Sequence, residues 1–195
     1  MMLHGRPASN CGGSGVAQSH GTAFELVEEG DRQGCPHCQG ILSYCFSQGC
    51  GIATKNEPSL YLPLARSSAA ANSKYGQYAL GCHFQRHEKD HAGAVAQFQL
   101  SAAQGLDAAQ FELGTCYKFG YGVAIDEAEA LRLYRLAADG GFPDAFESLA
   151  ELAADVTEEI YWLERCISAG RSVDVKLNSA HKRKDAEVWF RLGLR

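Results

Sequence analysis

Apolar side chains in this chain recur with the period of a helix, and the helical stretches recur in their turn. In the clearest stretch Ala109, Leu113 and Tyr117 fall at i, i+4 and i+8, along one face of a helix, and Gly114 leaves a gap beside Leu113. Phe119-Gly120-Tyr121-Gly122-Val123 follows, and its two glycines permit the positive φ needed to end one helix and turn into another. Asp126 then suits the N-cap of a second helix, whose apolar positions Ala130, Leu133, Tyr134, Ala137 and Ala138 keep the same period. Gly140-Gly141 closes that helix, and Pro143 is tolerated in the first turn of the next. The pattern predicts a helical hairpin, helix A followed by helix B.

The hairpin is repeated. Leu42, Leu80, Leu113 and Leu149 recur every 33 to 38 residues, the period of a stacked helical array. Asp90, Asp126 and Asp155 form a second column; Ala94, Ala130 and Glu159 stand four residues later, and Phe98, Tyr134 and Leu163 eight later. Gly105, Gly141 and Gly170 end each copy. The copies differ in length only between the column leucine and the column aspartate, where a helical hairpin absorbs insertions best. The expected fold is therefore all-α, a solenoid in which each repeat touches its neighbours.

Composition narrows the partners. A formal net charge of -5 and a pI near 5.8 argue against general attraction to nucleic acid or an anionic membrane. No apolar run approaches the roughly 18 residues needed to span a bilayer. Residues 1–21, rich in Gly, Ser and His and without an apolar centre, are expected to be a disordered lead.

The residues from Ala109 to Ala130, Ala-Gln-x-x-Leu-Gly-x-x-Tyr-x-x-Gly-x-Gly-Val-x-x-Asp-x-x-x-Ala, resemble a Sel1-like repeat, a relative of the tetratricopeptide repeats. Weaker copies cover residues 34–72, 73–105 and 142–170, with a partial one over 171–195 and an extra helix B around Ala23, Leu26 and Val27 ahead of them. The resemblance spans residues 22–195 and implies a right-handed α-α superhelix. It further implies a non-enzymatic scaffold or adaptor that binds another protein or peptide, and no cofactor or metal is expected; the lack of a signal-peptide pattern or an apolar spanning run predicts a cytoplasmic location.

In the related tetratricopeptide solenoids the A helices line the concave face, at positions five and two before the column leucine and two and five after it. Carried over, this selects His37, Gly40, Tyr44 and Ser47; Tyr75, Tyr78, Cys82 and Gln85; Ala108, Phe111, Thr115 and Lys118; and Asp144, Glu147, Glu151 and Ala154. Of these, Tyr44, Tyr75, Tyr78, Phe111, Thr115, Lys118, Glu147 and Glu151 are the expected partner-binding residues, aromatic in the middle and acidic at the far end. The competing reading packs the aromatic residues against neighbouring A helices.

The cysteines carry the rival chemistry. Cys35-Pro36-His37-Cys38, with Cys45 and Cys50, has the spacing of a zinc or redox site. The repeat frame instead puts Cys38 in the slot of Ala109 and Cys45 in that of Cys116, as small buried residues. Some Sel1-like proteins are secreted and bear a disulfide in every repeat, and a few of these are linked to β-lactam binding or hydrolysis, so a cysteine-rich hydrolase is the enzymatic alternative. That framework needs two cysteines per copy, and the copies holding Cys82, Cys116 and Cys166 have one each.

His83, His87 and His91, spaced by four, are expected to be solvated residues around a short turn rather than metal ligands. Lys182-Arg183-Lys184 is expected to be a solvated stretch between two short helices. Ala186, Trp189, Phe190 and Leu192 read as a final helix B with an uncovered apolar side, which predicts self-association there.

Overall fold

A computed structural model describes residues 17–48 and 58–191, with side chains described for 25–47, 58–173 and 176–184. These residues form ten α-helices, and no strand occurs among them. In chain order they are α1 (Ala17–Arg32), α2 (Pro36–Gln48), α3 (Pro58–Ala70), α4 (Lys74–His83) and α5 (His91–Ala103). The series continues with α6 (Asp107–Phe119), α7 (Glu127–Asp139), α8 (Pro143–Glu151), α9 (Val156–Ser168) and α10 (Asp174–Arg191). The pairs α2/α3, α4/α5, α6/α7 and α8/α9 are the A/B hairpins, and each B helix packs against the A helices on either side of it in sequence.

The joints between copies are built by one recurring device. Two residues beyond each B helix the chain enters the left-handed region, at Gly34, Asn72, Gly105, Gly141 and Gly170. The residue after that position sends its N–H back to a carbonyl in the last turn: Cys35 to Gly30, Ser73 to Ser68, Leu106 to Ser101, Phe142 to Ala137 and Arg171 to Cys166. This closes a helix C-terminus and aims the chain into the next A helix. A Cβ at Gly105, Gly141 or Gly170 would meet nothing within 4 Å, so the positive φ, not space, calls for glycine there. Asn72 takes the same conformation, which asparagine tolerates better than most residues.

The column aspartates cap the B helices. Asp90 accepts from the N–H of Gly93, Asp126 from that of Glu129, and Asp155 from those of Thr157 and Glu158, which satisfies donors the helix itself leaves unpaired. The column leucines Leu42, Leu80, Leu113 and Leu149 are all buried.

Within each hairpin the two helices exchange volume. A Cβ on Gly81 would stand 2.6 Å from the ring of Phe98, and one on Gly114 would stand 2.9 Å from that of Tyr134. The glycine after the column leucine thus makes the slot for the aromatic ring of its B helix. In the first full hairpin the sizes are transposed: Ser43 follows the column leucine, Ala65 takes the ring position, and the bulk moves to Tyr61 one turn earlier. Constant total volume is what a close-packed seam requires.

Two expectations about the ends are corrected. Helix α1 begins at Ala17 and so includes residues 17–21, because the amphipathic run of Ala23, Leu26 and Val27 extends backward with no proline to stop it; residues 1–16 lie outside the described residues. The segment 174–191 is one helix rather than two, since neither glycine nor proline interrupts it. Lys182, Arg183 and Lys184 therefore lie on a helix, where Arg183 pairs with Glu159 of α9 at 2.6 Å. The side chains of Ala186, Trp189 and Phe190, and Leu192 altogether, lie outside the described residues.

Candidate protein-interaction face

The A helices α2, α4, α6 and α8 stand in a row, and the position two residues before each column leucine points toward the next A helix. In α2 that residue is Gly40. A Cβ there would lie 2.4 Å from the backbone N of Gly76 and 2.7 Å from the backbone carbon of Tyr75, so α2 and α4 meet backbone to backbone. In α4 it is Tyr78, only 6% exposed, clustered with Ala108 and Ala109 of α6 and lying against the rings of Tyr44 and Phe98. In α6 it is Phe111, half-buried between Tyr134 and Phe142 with ring centroids 5.4 and 5.1 Å away. In α8 it is Glu147, which pairs with Lys176 of α10 at 2.5 Å and with Arg171 at 3.2 Å.

This arrangement corrects part of the expected contact set. Tyr78, Gly40, Cys82 and Ala108 are buried rather than solvent-facing, because their neighbours in the row stand close enough to cover them. Phe111 is half-covered as a spacer between α6 and α8. Tyr75 is half-buried, edge-on to the ring of His37 at 5.7 Å and beneath the ammonium of Lys74. His37 itself shares a hydrogen bond of 2.8 Å between Nδ1 and the hydroxyl of Ser73. Tyr44 and Thr115 are half-buried; the Thr115 hydroxyl donates to the Phe111 carbonyl and lies 3.2 Å from the Tyr134 hydroxyl.

The far end is not a free acidic surface. Asp144 pairs with Arg171 at 2.7 Å, Glu147 with Arg171 and Lys176, and Glu151 with Lys118 at 3.3 Å and Lys176 at 3.8 Å. Hydrogen bonds from Lys176 and then Arg171 hold the Glu147 carboxyl below the usual carboxylate range. Two of the three cations, Arg171 and Lys176, come from the segment after α9, which the pattern of the A helices alone could not position; the third, Lys118, lies on α6 itself.

Glu112, one residue before the column leucine of α6, is a candidate that the column positions did not select. Its side chain is half-buried in the row, and burial pushes its carboxyl above the usual range. The charge of Arg86 and a hydrogen bond from Gln85 work against that rise, and Asp144 adds to it. The same carboxylate helps raise the thiols of Cys82 and Cys116, each pushed up to about 12 chiefly by burial. The signal available beforehand was a lone acidic residue beside a core leucine.

The histidines separate. His83 is buried: its Nδ1 lies 2.9 Å from the Tyr61 hydroxyl, its Nε2 lies 3.1 Å from Glu88, and the ring of His87 stacks on it at 5.1 Å. Burial lowers its pKa below 6.5. The expectation that His83 is solvated is corrected, because the π-helical turn Phe84–Glu88 prolongs α4 and keeps this stretch against α3. His91 stacks on Tyr121 at 5.4 Å instead. Among the described residues no group of three or more His, Cys, Asp or Glu side chains is placed to hold a metal ion. Cys82, Cys116 and Cys166 are buried thiols, one in each copy, and no described helix is long and apolar enough to cross a membrane.

No protein-family model matches the chain. It is 36% identical over 108 residues to the uncharacterized protein NMB1327 of Neisseria meningitidis serogroup B, a match that covers 53% of this chain and 23% of that protein. Among solved structures it resembles c5321, a protective antigen of uropathogenic Escherichia coli with an SLR fold. That likeness has a TM-score of 0.71 and 26% identity and covers 83% of this chain and 37% of the other. It also resembles a Sel1 repeat protein from Oxalobacter formigenes, with a TM-score of 0.63 and 22% identity over 77% of this chain and 64% of that one. The chain thus spans less than two thirds of the length of each of these three proteins. The joints, the capped B helices and these two likenesses agree: this chain has the all-α solenoid fold of Sel1-like repeat proteins.

Proposed function

We propose that this chain is a non-enzymatic interaction module that binds a partner protein along its A-helix row, centred on α4 and α6. Sel1 repeats generally serve protein interaction. The observation that carries the reading is Glu112. A half-buried carboxylate whose ionised form is disfavoured by its surroundings costs stability, and local departures of that kind collect where a protein meets something else. A basic side chain or a row of amide donors from a partner would add to the partial compensation that Arg86 and Gln85 supply. Tyr44, Thr115 and Lys118, half-buried residues of the same row, would offer an aromatic body, a hydroxyl and a cation now shared with Glu151 for the rest of the contact. Tyr75, Phe111, Glu147 and Glu151 would flank that contact, and Tyr78 would support it from the core.

Site-specific photo-crosslinking in cells tests this. A benzophenone side chain at Thr115 should capture a discrete partner band, while the same group at Leu136, exposed on α7, should not. Glu112→Lys should remove the Thr115 adduct with helicity unchanged by circular dichroism. Adducts formed equally from both positions, or an adduct indifferent to Glu112→Lys, would overturn the assignment of this face.

A further inference from the structure

Away from the row, two cysteines stand at the start of α2. Cys35 occupies the residue before the helix and Cys38 lies one turn inside it. The backbone of Cys35 is held on both sides: its N–H bonds the Gly30 carbonyl at 2.9 Å, and its own carbonyl accepts from Gln39 at 3.1 Å. The two side chains converge on one point of α1, where a Gly30 Cβ would stand 3.8 Å from the Cβ of Cys35 and 3.0 Å from that of Cys38. The Cys38 sulfur in turn lies over Gly30 of α1, where a Cβ would come within 2.3 Å of it. Glycine at that position makes room for the second sulfur. Both thiols remain half-buried rather than sealed.

The two ends of the pair differ in acidity in the way exchange chemistry uses. Hydrogen bonds from Cys38, at the positive end of α2, hold the Cys35 thiol below 9.0. Burial, the neighbouring Cys35 sulfur and the charge of Asp31 push Cys38 up to about 11. One sulfur is prepared to attack and to leave; the other stays a thiol until it is needed.

We propose that Cys35 and Cys38 form a dithiol–disulfide exchange site that reacts with disulfides of other molecules. The Cys35 thiolate attacks one sulfur of the incoming disulfide, a Cys35–sulfur bond forms, the incoming S–S bond breaks, and one thiolate leaves. Cys38 then gives up its proton to solvent and attacks the Cys35 sulfur. The internal disulfide forms and the second thiolate is expelled, so the incoming disulfide has gained two electrons and the dithiol has lost two. Because the helix end favours the Cys35 thiolate, it also favours the reduced pair, so the internal disulfide passes its oxidation on readily instead of serving as a staple.

The test uses the full chain in glutathione redox buffers, with maleimide counting of thiols and peptide mass spectrometry to locate links. The expected result is a reversible Cys35–Cys38 disulfide, with Cys38→Ser trapping glutathione on Cys35. Cys35→Ser should trap it on Cys38 more slowly, since burial and the charge of Asp31 still hold that thiol up when Cys35 is gone. Serine preserves a cap at residue 35, and circular dichroism checks both variants. Site-resolved iodoacetamide rates on the unaltered chain give a second reading, with Cys35 expected to alkylate before Cys38. A link from either residue to Cys45 or Cys50, equal trapping by the two variants, equal alkylation, or a stoichiometric zinc ion shielding both thiols would each overturn the proposal.

Discussion

The α2/α4 crossing and the α6/α8 crossing occupy equivalent places in the array and are built in opposite ways. At the first, Gly40 and Gly76 let backbones touch, and the Ser68 hydroxyl of α3 lies within 2.7 Å of where a Gly40 Cβ would stand. At the second, the residue equivalent to Gly40 is Phe111, and its ring stands against Phe142 at the entry to α8. The same column therefore acts as a contact point in one copy and as a spacer in another. The distance between successive A helices is written in one position per repeat, and the exposure of the neighbouring columns follows from it.

The largest expected effect is at the spacer. Phe111→Ala removes a half-buried ring and should cost about 2 to 4 kcal/mol, below or within the lower part of the range for fully buried phenylalanine. Urea unfolding measures it, and a loss under 1 kcal/mol would mean that α6 and α8 are held apart by something else. At the contact point the sign of the volume change reverses. Gly40→Ala adds a methyl group where backbone already stands, and should cost about 1 to 2 kcal/mol despite alanine's better helix propensity. A stabilised Gly40→Ala would show that α2 and α4 part easily and would erase the contrast.

The acidic residues sharpen it further, with smaller effects of opposite sign. Glu147 has a folded pKa below its ordinary 4.5, so its stabilisation is present above 4.5 and lost as pH falls through the folded value. Glu147→Gln should therefore destabilise by about 1 kcal/mol at neutral pH and low salt, with the difference from the unaltered chain closing in acid and in high salt. Glu112 has a folded pKa above 4.5, so its contribution is present below 4.5 and is lost as pH rises through the folded value. Glu112→Gln should raise the melting temperature slightly near neutrality and leave it unchanged well below pH 4.5. Thermal melts across pH 3 to 8 compare the two directly, and a drop in melting temperature for Glu112→Gln at neutral pH would mean that Arg86 fully satisfies the carboxylate.

Much of the fold was legible because it is local. Asp90, Asp126 and Asp155 were placed as one column, and each bonds the first turn of its own helix within three residues. The pair Gly120 and Gly122 was read as a turn, and both take positive φ, with Gly122 also pressed against the carbonyl of His91. The candidate face was only half legible. The A-helix frame puts Tyr78 and Cys82 in solvent, where the structure buries them, and leaves Arg171 and Lys176, which pair with Glu147 and Glu151, out of account.

The sequence by itself determined the helices, their caps, the left-handed joints and the volume exchange of Gly81 with Phe98 and of Gly114 with Tyr134, because each depends on residues inside one copy. Only the tertiary structure decided which columns of the A helices stay open, which charges are paired, and that Tyr61 and His83 share a buried hydrogen bond. Those outcomes depend on how near the next helix stands. That spacing is fixed by residues such as Gly40 and Gly76, which are distant in the chain and meet only once the repeats have stacked.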